Sequence, residues 1–300
     1  MTVLSSPPAS ATSPVRPPSR RERRLARRHR FLTVVAERSL LIALVVIVLM
    51  PFVMIGLTAL MSNEQTLSPN LWPSTFQWHN FSDVFTRIPL VRYAGNTLLY
   101  AALATIGTII SSVPAAYAMA KMRWRGRNLW FLMTVSVMML PAQVTLVPLY
   151  SMWASMDMVG SLAPLIVPLF FGHAFSIFLL RQFFLTIPQE CLEAAKIDGC
   201  GELRTLFSVV LPLVRPAIAA VAVFQFTFCW NDFMGPLLYV GNDDRNWTLS
   251  VGLAQFRSTY QVEWNLTMAA SLVAALPVVV LFFFAQKTFV RGIALTGVKG

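Results

Sequence analysis

The sequence predicts an all-α membrane protein with six transmembrane helices and a cytoplasmic loop, carrying a short helix of its own, between helices four and five. Of its 300 residues, 12% are charged and 56% are hydrophobic, and the mean hydropathy is +0.62. Soluble domains carry about 25% charged residues, so this chain lacks the charge to cover a water-soluble surface. A soluble enzyme is therefore excluded. A membrane β-barrel is excluded too, because its strands would be stretches of only about 10 residues with alternating polarity.

Six long stretches are free, or nearly free, of charged residues. A spanning helix needs about 20 largely apolar residues, because the hydrocarbon core is about 30 Å thick and a helix rises about 1.5 Å per residue. All six stretches satisfy this length, although Asp232 interrupts the fifth. The predicted spans are residues 39–63, 93–120, 128–156, 158–180, 216–240 and 264–286.

The basic residues predict the orientation of these spans. Twenty of the 24 Lys and Arg residues lie before the first span, after the second, between the fourth and fifth, or after the sixth. Cytoplasmic segments carry the excess of Lys and Arg, so both termini are expected in the cytoplasm. This placement accounts for the formal net charge of +11 without a nucleic-acid partner.

Two terminal regions are expected to flank a membrane domain that covers residues 38–288. Residues 1–37 are first rich in Ser, Pro and Ala and then continue into the basic run RRERRLARRHR at 20–30. Because this composition cannot build a core, residues 1–37 are expected to form a disordered cytoplasmic tail that anchors helix one and contacts membrane lipid. Residues 289–300 are expected to form a second cytoplasmic tail.

The sequence contains no motif for catalysis or for holding a metal or cofactor. Gly292 and Gly297 have the spacing of a phosphate-binding loop, but Val298 stands where that loop requires Lys. The three histidines are scattered and the three cysteines form no C-x-x-C pair, so neither a metal site nor a disulfide scaffold is predicted. The chain is expected not to be an enzyme, and any uphill transport would draw its energy from another protein.

Residues 188–216, called the motif segment below, carry the most specific signal. Pro188 suits the start of a helix, and the acidic residue in the following turn suits the helix dipole. Gly199 suits the end of that helix, and a second helical run over 202–210 leads to Pro212 at the membrane. The predicted element is a short surface helix, joined by a glycine turn to the fifth span, that can dock into a groove of a soluble partner.

The motif segment also contains a spaced set of residues that matches a family pattern: Glu193, Ala194, Ala195, Asp198, Gly199, Val209, Leu211 and Pro212. It resembles the EAA loop of ABC-importer permeases, E-A-A-x3-G-x9-I-x-L-P, with Val209 in place of Ile. The resemblance covers residues 38–300 and is greatest to the smaller permease of maltose-type carbohydrate importers. Supporting stretches are Asn96-Thr97-Leu98, Met139-Leu140-Pro141, Val147-Pro148-Leu149, Trp230-Asn231-Asp232-Phe233 and Phe289-Val290-Arg291-Gly292.

The resemblance implies one subunit of a heteromeric sugar importer in a bacterial cell (inner or plasma) membrane. A second permease would complete the pore, two cytoplasmic ATP-binding subunits would bind ATP and Mg, and an extracellular solute-binding protein would deliver the sugar. This chain would hold no cofactor. The residues expected to couple the short helix to an ATPase are Glu193, Ala194, Ala195, Asp198, Gly199, Leu211 and Pro212.

Several polar and aromatic residues fall inside or beside the predicted spans, where polar groups usually face the bundle interior or a water-filled path. With the orientation above, they converge on the outer part of the membrane. Amides and a carboxylate can bind sugar hydroxyls, and aromatic rings can stack on sugar rings, so these residues are expected to line a translocation path. The alternative is that they bond one helix to another. The set is Asn96, Gln143, Trp230, Asn231, Asp232 and Phe233.

Two other classes of protein compete with the importer hypothesis. An ion-coupled secondary transporter or channel with no ATPase partner would show related halves and buried acids near the midplane. Here Asp232 is the only acidic residue within a predicted span, and the sequence shows no two related halves. A membrane scaffold that binds soluble partners through the motif segment would not need the polar convergence. Dependence of uptake on ATP and on a separate ATPase chain distinguishes the importer from both.

Overall fold

The computed structural model describes residues 20–241, 243–257 and 262–296, and no strand occurs within these ranges. Short 3-10 segments and one π-helical turn, Leu206–Val210, connect several of the α-helices. The α-helices are α1 (Arg20–Ala59), α2 (Asn80–Arg87), α3 (Leu90–Ala120), α4 (Arg127–Val137), α5 (Ala142–Ser155), α6 (Ala163–Ile166), α7 (Ala174–Leu185), α8 (Gln189–Ile197), α9 (Glu202–Thr205), α10 (Leu211–Leu213), α11 (Arg215–Asn231), α12 (Met234–Val240), α13 (Leu249–Leu253) and α14 (Trp264–Thr296).

The chain divides into two compact units, residues 1–54 and residues 55–300. In the first unit, the apolar side chains of α1 from Leu40 to Phe52 are exposed. The second unit contains α2 to α14. In this unit α3 is the central helix, since it packs against α7, α11, α13 and the 3-10 segment Val167–Phe171.

Three buried clusters hold the second unit together. The largest joins α3, α7, α8 and α11, and it includes Tyr117, Phe184 and Val210. A second cluster joins α2, the first turns of α3, α13 and α14, with Tyr93 fully enclosed. A third, smaller cluster centres on Tyr100 in the middle of α3. The buried stripe of α3 therefore continues along its whole length, which explains why other helices surround it.

Four helical segments are long and apolar enough to cross a membrane: Leu32–Ala59, Leu90–Ala120, Ala163–Leu185 and Trp264–Phe284. A fifth candidate is the pair Glu202–Leu213 and Arg215–Asn231, which is bent by 80°. The all-helical membrane class is confirmed for the described residues. The count of six spans is not confirmed, because four or at most five segments pass this test.

The predicted third span, residues 128–156, is wrong as a single continuous helix. Its residues form α4 and α5, separated by a break over residues 138–141. Pro141 takes an extended conformation (ψ 132°) at the start of α5, and it has no N–H to donate to the preceding turn. The helix therefore ends before this proline and starts again after it.

The predicted fifth span, residues 216–240, is also divided. Helix α11 ends at Asn231, and Asp232 adopts an extended conformation (ψ 123°). Its side-chain Oδ1 accepts a hydrogen bond from the backbone N–H of Gly235, 3.1 Å away, at the start of α12. An acceptor placed before a helix satisfies one of its free N–H groups, so Asp232 both breaks the span and starts the next helix.

The two expected tails overlap with helices or lie outside the described residues. Helix α1 begins at Arg20, within the expected tail of residues 1–37, and residues 1–19 lie outside the described ranges. Helix α14 continues to Thr296, within the expected C-terminal tail of residues 289–300, and residues 297–300 lie outside.

Candidate functional site

The short helix predicted in the motif segment is α8, Gln189–Ile197. Pro188 precedes it with an extended backbone (ψ 139°), so α7 and α8 are separate helices. At its other end, Gly199 has a φ of +76°, a conformation that side chains with a Cβ rarely adopt. The N–H of Gly199 bonds to the carbonyl of Lys196, and the N–H of Cys200 bonds to that of Ala195. This is a Schellman motif, which ends a helix by satisfying its last carbonyls.

Helix α8 has a buried face and an exposed face. Leu192 packs into the largest buried cluster, and Ala195 of the EAA triplet is buried on the same side of the helix. Glu193 and Ala194 are exposed, as are Asp198 and Gly199. Ile197, which the motif did not single out, is 87% exposed. The exposed face therefore presents a large apolar side chain to the surroundings, beside a carboxylate and a small residue.

A chain of polar contacts joins α8 to the central helix α3. The hydroxyl of Tyr117, on α3, donates a hydrogen bond to Glu202 Oε2 over 2.9 Å. The other carboxylate oxygen of Glu202 lies 3.0 Å from Nζ of Lys196, on α8. Tyr117 is 2% exposed, and its ring packs edge-on against Phe184 of α7. Glu202 therefore connects α8 to a tyrosine that is fixed between two longer helices.

Two basic residues fix the segment that leads into α8. Lys121 follows the last residue of α3, and its Nζ donates to the carbonyl of Ile187 over 2.6 Å. Burial lowers the pKa of Lys121, although Cys191 and Glu190 nearby oppose that shift. Arg181 Nε donates to the carbonyl of Met119 over 3.2 Å, and such a carbonyl in the last turn of a helix has no partner within the helix. The end of α3 and the start of α8 are thus linked directly.

Leu211 and Pro212, at the far end of the motif segment, lie apart from the exposed face of α8. Both line an apolar groove of about 530 Å³ between α3 and residues 203–218. Leu211 also packs against the largest buried cluster, whereas Pro212 is exposed. These two residues shape the entry to α11.

Three of the six residues expected in a translocation path bond other parts of the same chain. Asn96 Nδ2 donates to the carbonyls of Arg245 and Trp247, over 2.8 and 2.9 Å. Trp230 is buried, and its Nε1 donates to the carbonyl of Ala274. Besides capping α12, Asp232 accepts a hydrogen bond from a hydroxyl on α3 through Oδ2. These contacts favour the alternative that these three side chains bond one helix to another.

The other three expected path residues are exposed. Asn231 Nδ2 donates to the carbonyl of Thr227, one turn earlier in α11, over 2.8 Å. Phe233 and Gln143 both present exposed side chains, and Gln143 lies near the start of α5. The consecutive residues Trp230, Asn231 and Asp232 thus lie at the end of α11 with different contacts: Trp230 bonds α14, Asn231 bonds its own helix and Asp232 bonds the start of α12.

Sequence reasoning missed a cavity of about 510 Å³ between α3, α5, the segment from α6 to α7, α11 and α12. Its polar and aromatic lining residues come from five different parts of the chain, so no local pattern shows that they meet. Polar residues inside predicted spans were the one available signal, and it applied to His173 and Gln225. The polar and aromatic lining residues are Tyr100, Trp153, Phe171, His173, Gln225, Phe228 and Tyr239.

The described residues contain no group of three or more His, Cys, Asp or Glu side chains that could hold a metal ion. The described cysteines Cys191, Cys200 and Cys229 are free thiols.

Comparison with known proteins identifies the family. Residues 112–295 match the model of the family described as binding-protein-dependent transport system inner membrane component. The arabinooligosaccharides transport system permease protein AraQ of Halalkalibacterium halodurans is 33% identical over 244 residues, which are 81% of this chain and 86% of that protein. The melibiose/raffinose/stachyose import permease protein MelC of Bacillus subtilis is 32% identical, over 83% of this chain and 91% of that protein.

Two further comparisons add a relative named for a different substrate and a solved structure. The sn-glycerol-3-phosphate transport system permease protein UgpE of Pectobacterium atrosepticum is 33% identical, over 85% of this chain and 93% of that protein. A solved bacterial ABC transporter involved in the import of the acidic polysaccharide alginate has a chain with the same fold. Its TM-score is 0.75 at 21% identity, over 92% of this chain and 100% of that chain.

These matches bear on two predictions made from the sequence. The resemblance carried by the motif segment is confirmed, since the relatives are transport permeases and the family match includes that segment. The expectation that the chain is not an enzyme is confirmed as well, because the relatives form a family of permeases. This chain belongs to the binding-protein-dependent transport system inner membrane component family.

Proposed function

We propose that the chain is a permease subunit of an ATP-driven sugar importer in the bacterial cell membrane, with both termini in the cytoplasm. In this proposal a second permease completes the pore, and an extracellular binding protein delivers the substrate. Two cytoplasmic subunits bind ATP and Mg, while this chain holds no cofactor. Family membership and the relatives named for sugar import support this assignment.

The proposal includes six crossings of the membrane. Four apolar segments and the bent pair that ends in α11 account for five of them. Helices α4 and α5 have 11 and 14 residues, which together rise about 38 Å and exceed a hydrocarbon core of about 30 Å. The two helices then form a sixth, broken crossing. A break inside a membrane is tolerated where protein surrounds the free backbone groups, and residues 138–141 are exposed in this chain, so the second permease would have to cover them.

One observation carries the coupling role: α8 is bonded to the spanning helices on one side and exposed on the other. Its buried face and the Tyr117, Glu202 and Lys196 contacts transmit a displacement of α8 to α3. Its exposed face, with Glu193 and Ile197, is available to an ATPase. In this arrangement Ala194, Asp198 and Gly199 contribute to the docking surface, Ala195 holds the helix in place, and Leu211 and Pro212 position α11.

Affinity purification of the tagged chain from membranes in mild detergent tests this assignment. We expect a second permease and a P-loop ATPase to co-purify with the wild-type chain. Glu193→Lys reverses a charge on the exposed face, so it should lose the ATPase while keeping the second permease, which shows that the variant is folded. The matched control is Glu64→Lys, the same reversal at an exposed residue of the loop after α1. Retention of the ATPase by Glu193→Lys would contradict the coupling role.

Transport by the purified complex in liposomes distinguishes the importer from its rival. An importer requires ATP and the binding protein, and Glu193→Lys should abolish uptake together with substrate-stimulated ATP hydrolysis. A chain that purifies alone and moves solute without ATP would be a secondary transporter or channel.

A further inference from the structure

The 510 Å³ cavity is a half-open pocket of the second unit and has aromatic walls. Tyr100 is about 15 Å along α3 from Leu90, and Gln225 is about 15 Å along α11 from Arg215. In the proposed orientation these helices start on opposite sides of the membrane, so both residues lie inside the membrane, away from its two surfaces. His173 lies at the break inside the Ala163–Leu185 segment, at a similar depth. The cavity is therefore placed where a translocation path passes between the two sides.

The polar groups around the cavity are held in place by neighbours on their own chain. The Tyr100 hydroxyl donates to Asp232 Oδ2 over 3.0 Å. His173 Nδ1 lies 2.9 Å from Ser176 Oγ and shares a hydrogen bond with it. Fixed groups of this kind bind a ligand without the entropic cost of ordering them first.

Gln225 is the most informative of these groups. The residue is 4% exposed, yet it lines the cavity. Its side-chain Nε2 donates a hydrogen bond to the thiol sulfur of Cys229, which is a weak acceptor. An amide inside a membrane protein is costly unless it is well satisfied, so a partner that enters the cavity would complete its bonding.

The lining favours a neutral, ring-shaped ligand over an anion. Trp153, Phe228 and Tyr239 provide aromatic surface, which suits the apolar faces of sugar rings. No Lys or Arg belongs to the described lining, whereas such residues are the usual partners of phosphate. The carboxylate of Asp232, bonded to Tyr100, adds a negative charge beside the cavity.

We propose that Tyr100, Trp153, His173, Gln225 and Tyr239 form a binding subsite for a neutral oligosaccharide within this subunit. The inference rests on the proposed importer function and narrows its substrate class. Among the substrates named for relatives, it selects neutral oligosaccharides over glycerol phosphate. It also places substrate contact in the cavity rather than at Asn96, Trp230 and Asp232, whose side chains bond helix to helix.

Uptake by the complete transporter, reconstituted with its second permease, ATPase and binding protein, tests the subsite. The probes are radiolabelled raffinose, melibiose, arabinotriose and sn-glycerol 3-phosphate. The wild-type complex should take up at least one of the neutral sugars and should not take up glycerol phosphate. Gln225→Leu removes an amide from the cavity, and it should raise the KM for that sugar about fivefold, as expected for one lost hydrogen bond to a neutral group.

Two comparisons keep the test specific. Gln182→Leu makes the same change at an exposed residue of α7 and should leave the KM unchanged. Tyr239→Phe keeps the ring and removes only the hydroxyl, so a raised KM in this variant excludes a packing defect. Both cavity variants should retain the second permease on purification and hydrolyse ATP when stimulated by the loaded binding protein.

The outcomes separate this inference from the proposed function. ATP-driven uptake of a neutral sugar that neither cavity variant alters would overturn the subsite alone, as would uptake of glycerol phosphate. Loss of the second permease from the cavity variants would identify the cavity as a subunit contact and would also overturn it. Uptake that proceeds without ATP would overturn the importer function itself.

Discussion

The polar link between Tyr117, Glu202 and Lys196 leads to a quantitative prediction about energy coupling. The Tyr117 hydroxyl is buried and donates to a carboxylate that is only partly exposed, so this hydrogen bond contributes about 1 kcal/mol to the attachment of α8. The ion pair contributes less, because the Lys196 and Glu202 side chains are 58% and 40% exposed and are screened by water and salt. Losing about 1 kcal/mol raises the population with α8 detached from α3 about fivefold.

Two substitutions break this link from opposite ends. Tyr117→Phe removes the hydroxyl and keeps the ring that packs on Phe184, while Glu202→Ala removes both contacts of the carboxylate. In proteoliposomes that contain the complete transporter, we expect sugar uptake per ATP hydrolysed to fall by up to about fivefold in either variant. ATP hydrolysis itself should persist, because the nucleotide is bound by the partner subunits.

The double variant provides the decisive comparison. If the two residues act through one contact, Tyr117→Phe combined with Glu202→Ala should lower the uptake per ATP no further than Glu202→Ala alone. Glu64→Ala, at an exposed position in the loop after α1, serves as the control. Effects of the single substitutions that multiply in the double variant would refute the reasoning, as would an unchanged ratio of uptake to ATP hydrolysis.

Three further predictions concern positions whose geometry is set by the fold. Gly199 has a φ of +76°, so Gly199→Ala should destabilise the end of α8 by about 1 kcal/mol and lower the amount of ATPase that co-purifies with the complex. Gly201 has a φ in the ordinary range, so Gly201→Ala should leave that amount unchanged. Asn96→Ala should lower the free energy of unfolding by about 1–3 kcal/mol, since the carbonyls of Arg245 and Trp247 lose their donor. Gly107→Ala places a methyl group about 2.5 Å from a phenylalanine ring of the segment before α7, so it should lower the melting temperature, unlike Gly95→Ala, which has open space.

The sequence predicted the helices with the clearest patterns. The spans predicted at 93–120 and 264–286 correspond to the apolar segments Leu90–Ala120 and Trp264–Phe284, because length and hydropathy alone decide such helices. Helix α8 was also predicted from local sequence, here from the residues at its two ends. Proline before it and glycine after it act through their own backbone geometry, which does not depend on distant contacts.

Broken helices were harder to predict from hydropathy. The stretches at 128–156 and 216–240 are apolar throughout or nearly so, yet Pro141 and Asp232 interrupt them. At Asp232 the carboxylate accepts one hydrogen bond from the N–H of Gly235 nearby and another from a hydroxyl of α3, more than 100 residues earlier. Hydropathy measures the preference of a segment for lipid, and it does not report a hydrogen bond formed by folding.

For the candidate sites, too, some features follow from the sequence and others only from the tertiary structure. The sequence by itself determined the membrane class, the family and the position of α8, because composition, spacing and local backbone chemistry are written into consecutive residues. Only the tertiary structure decided that Ala195 is buried beside the exposed Glu193, that Glu202 reaches Tyr117, and that Gln225 lines a cavity with Tyr100. Each of these depends on which helix faces which, and this choice is made by the packing of the whole chain.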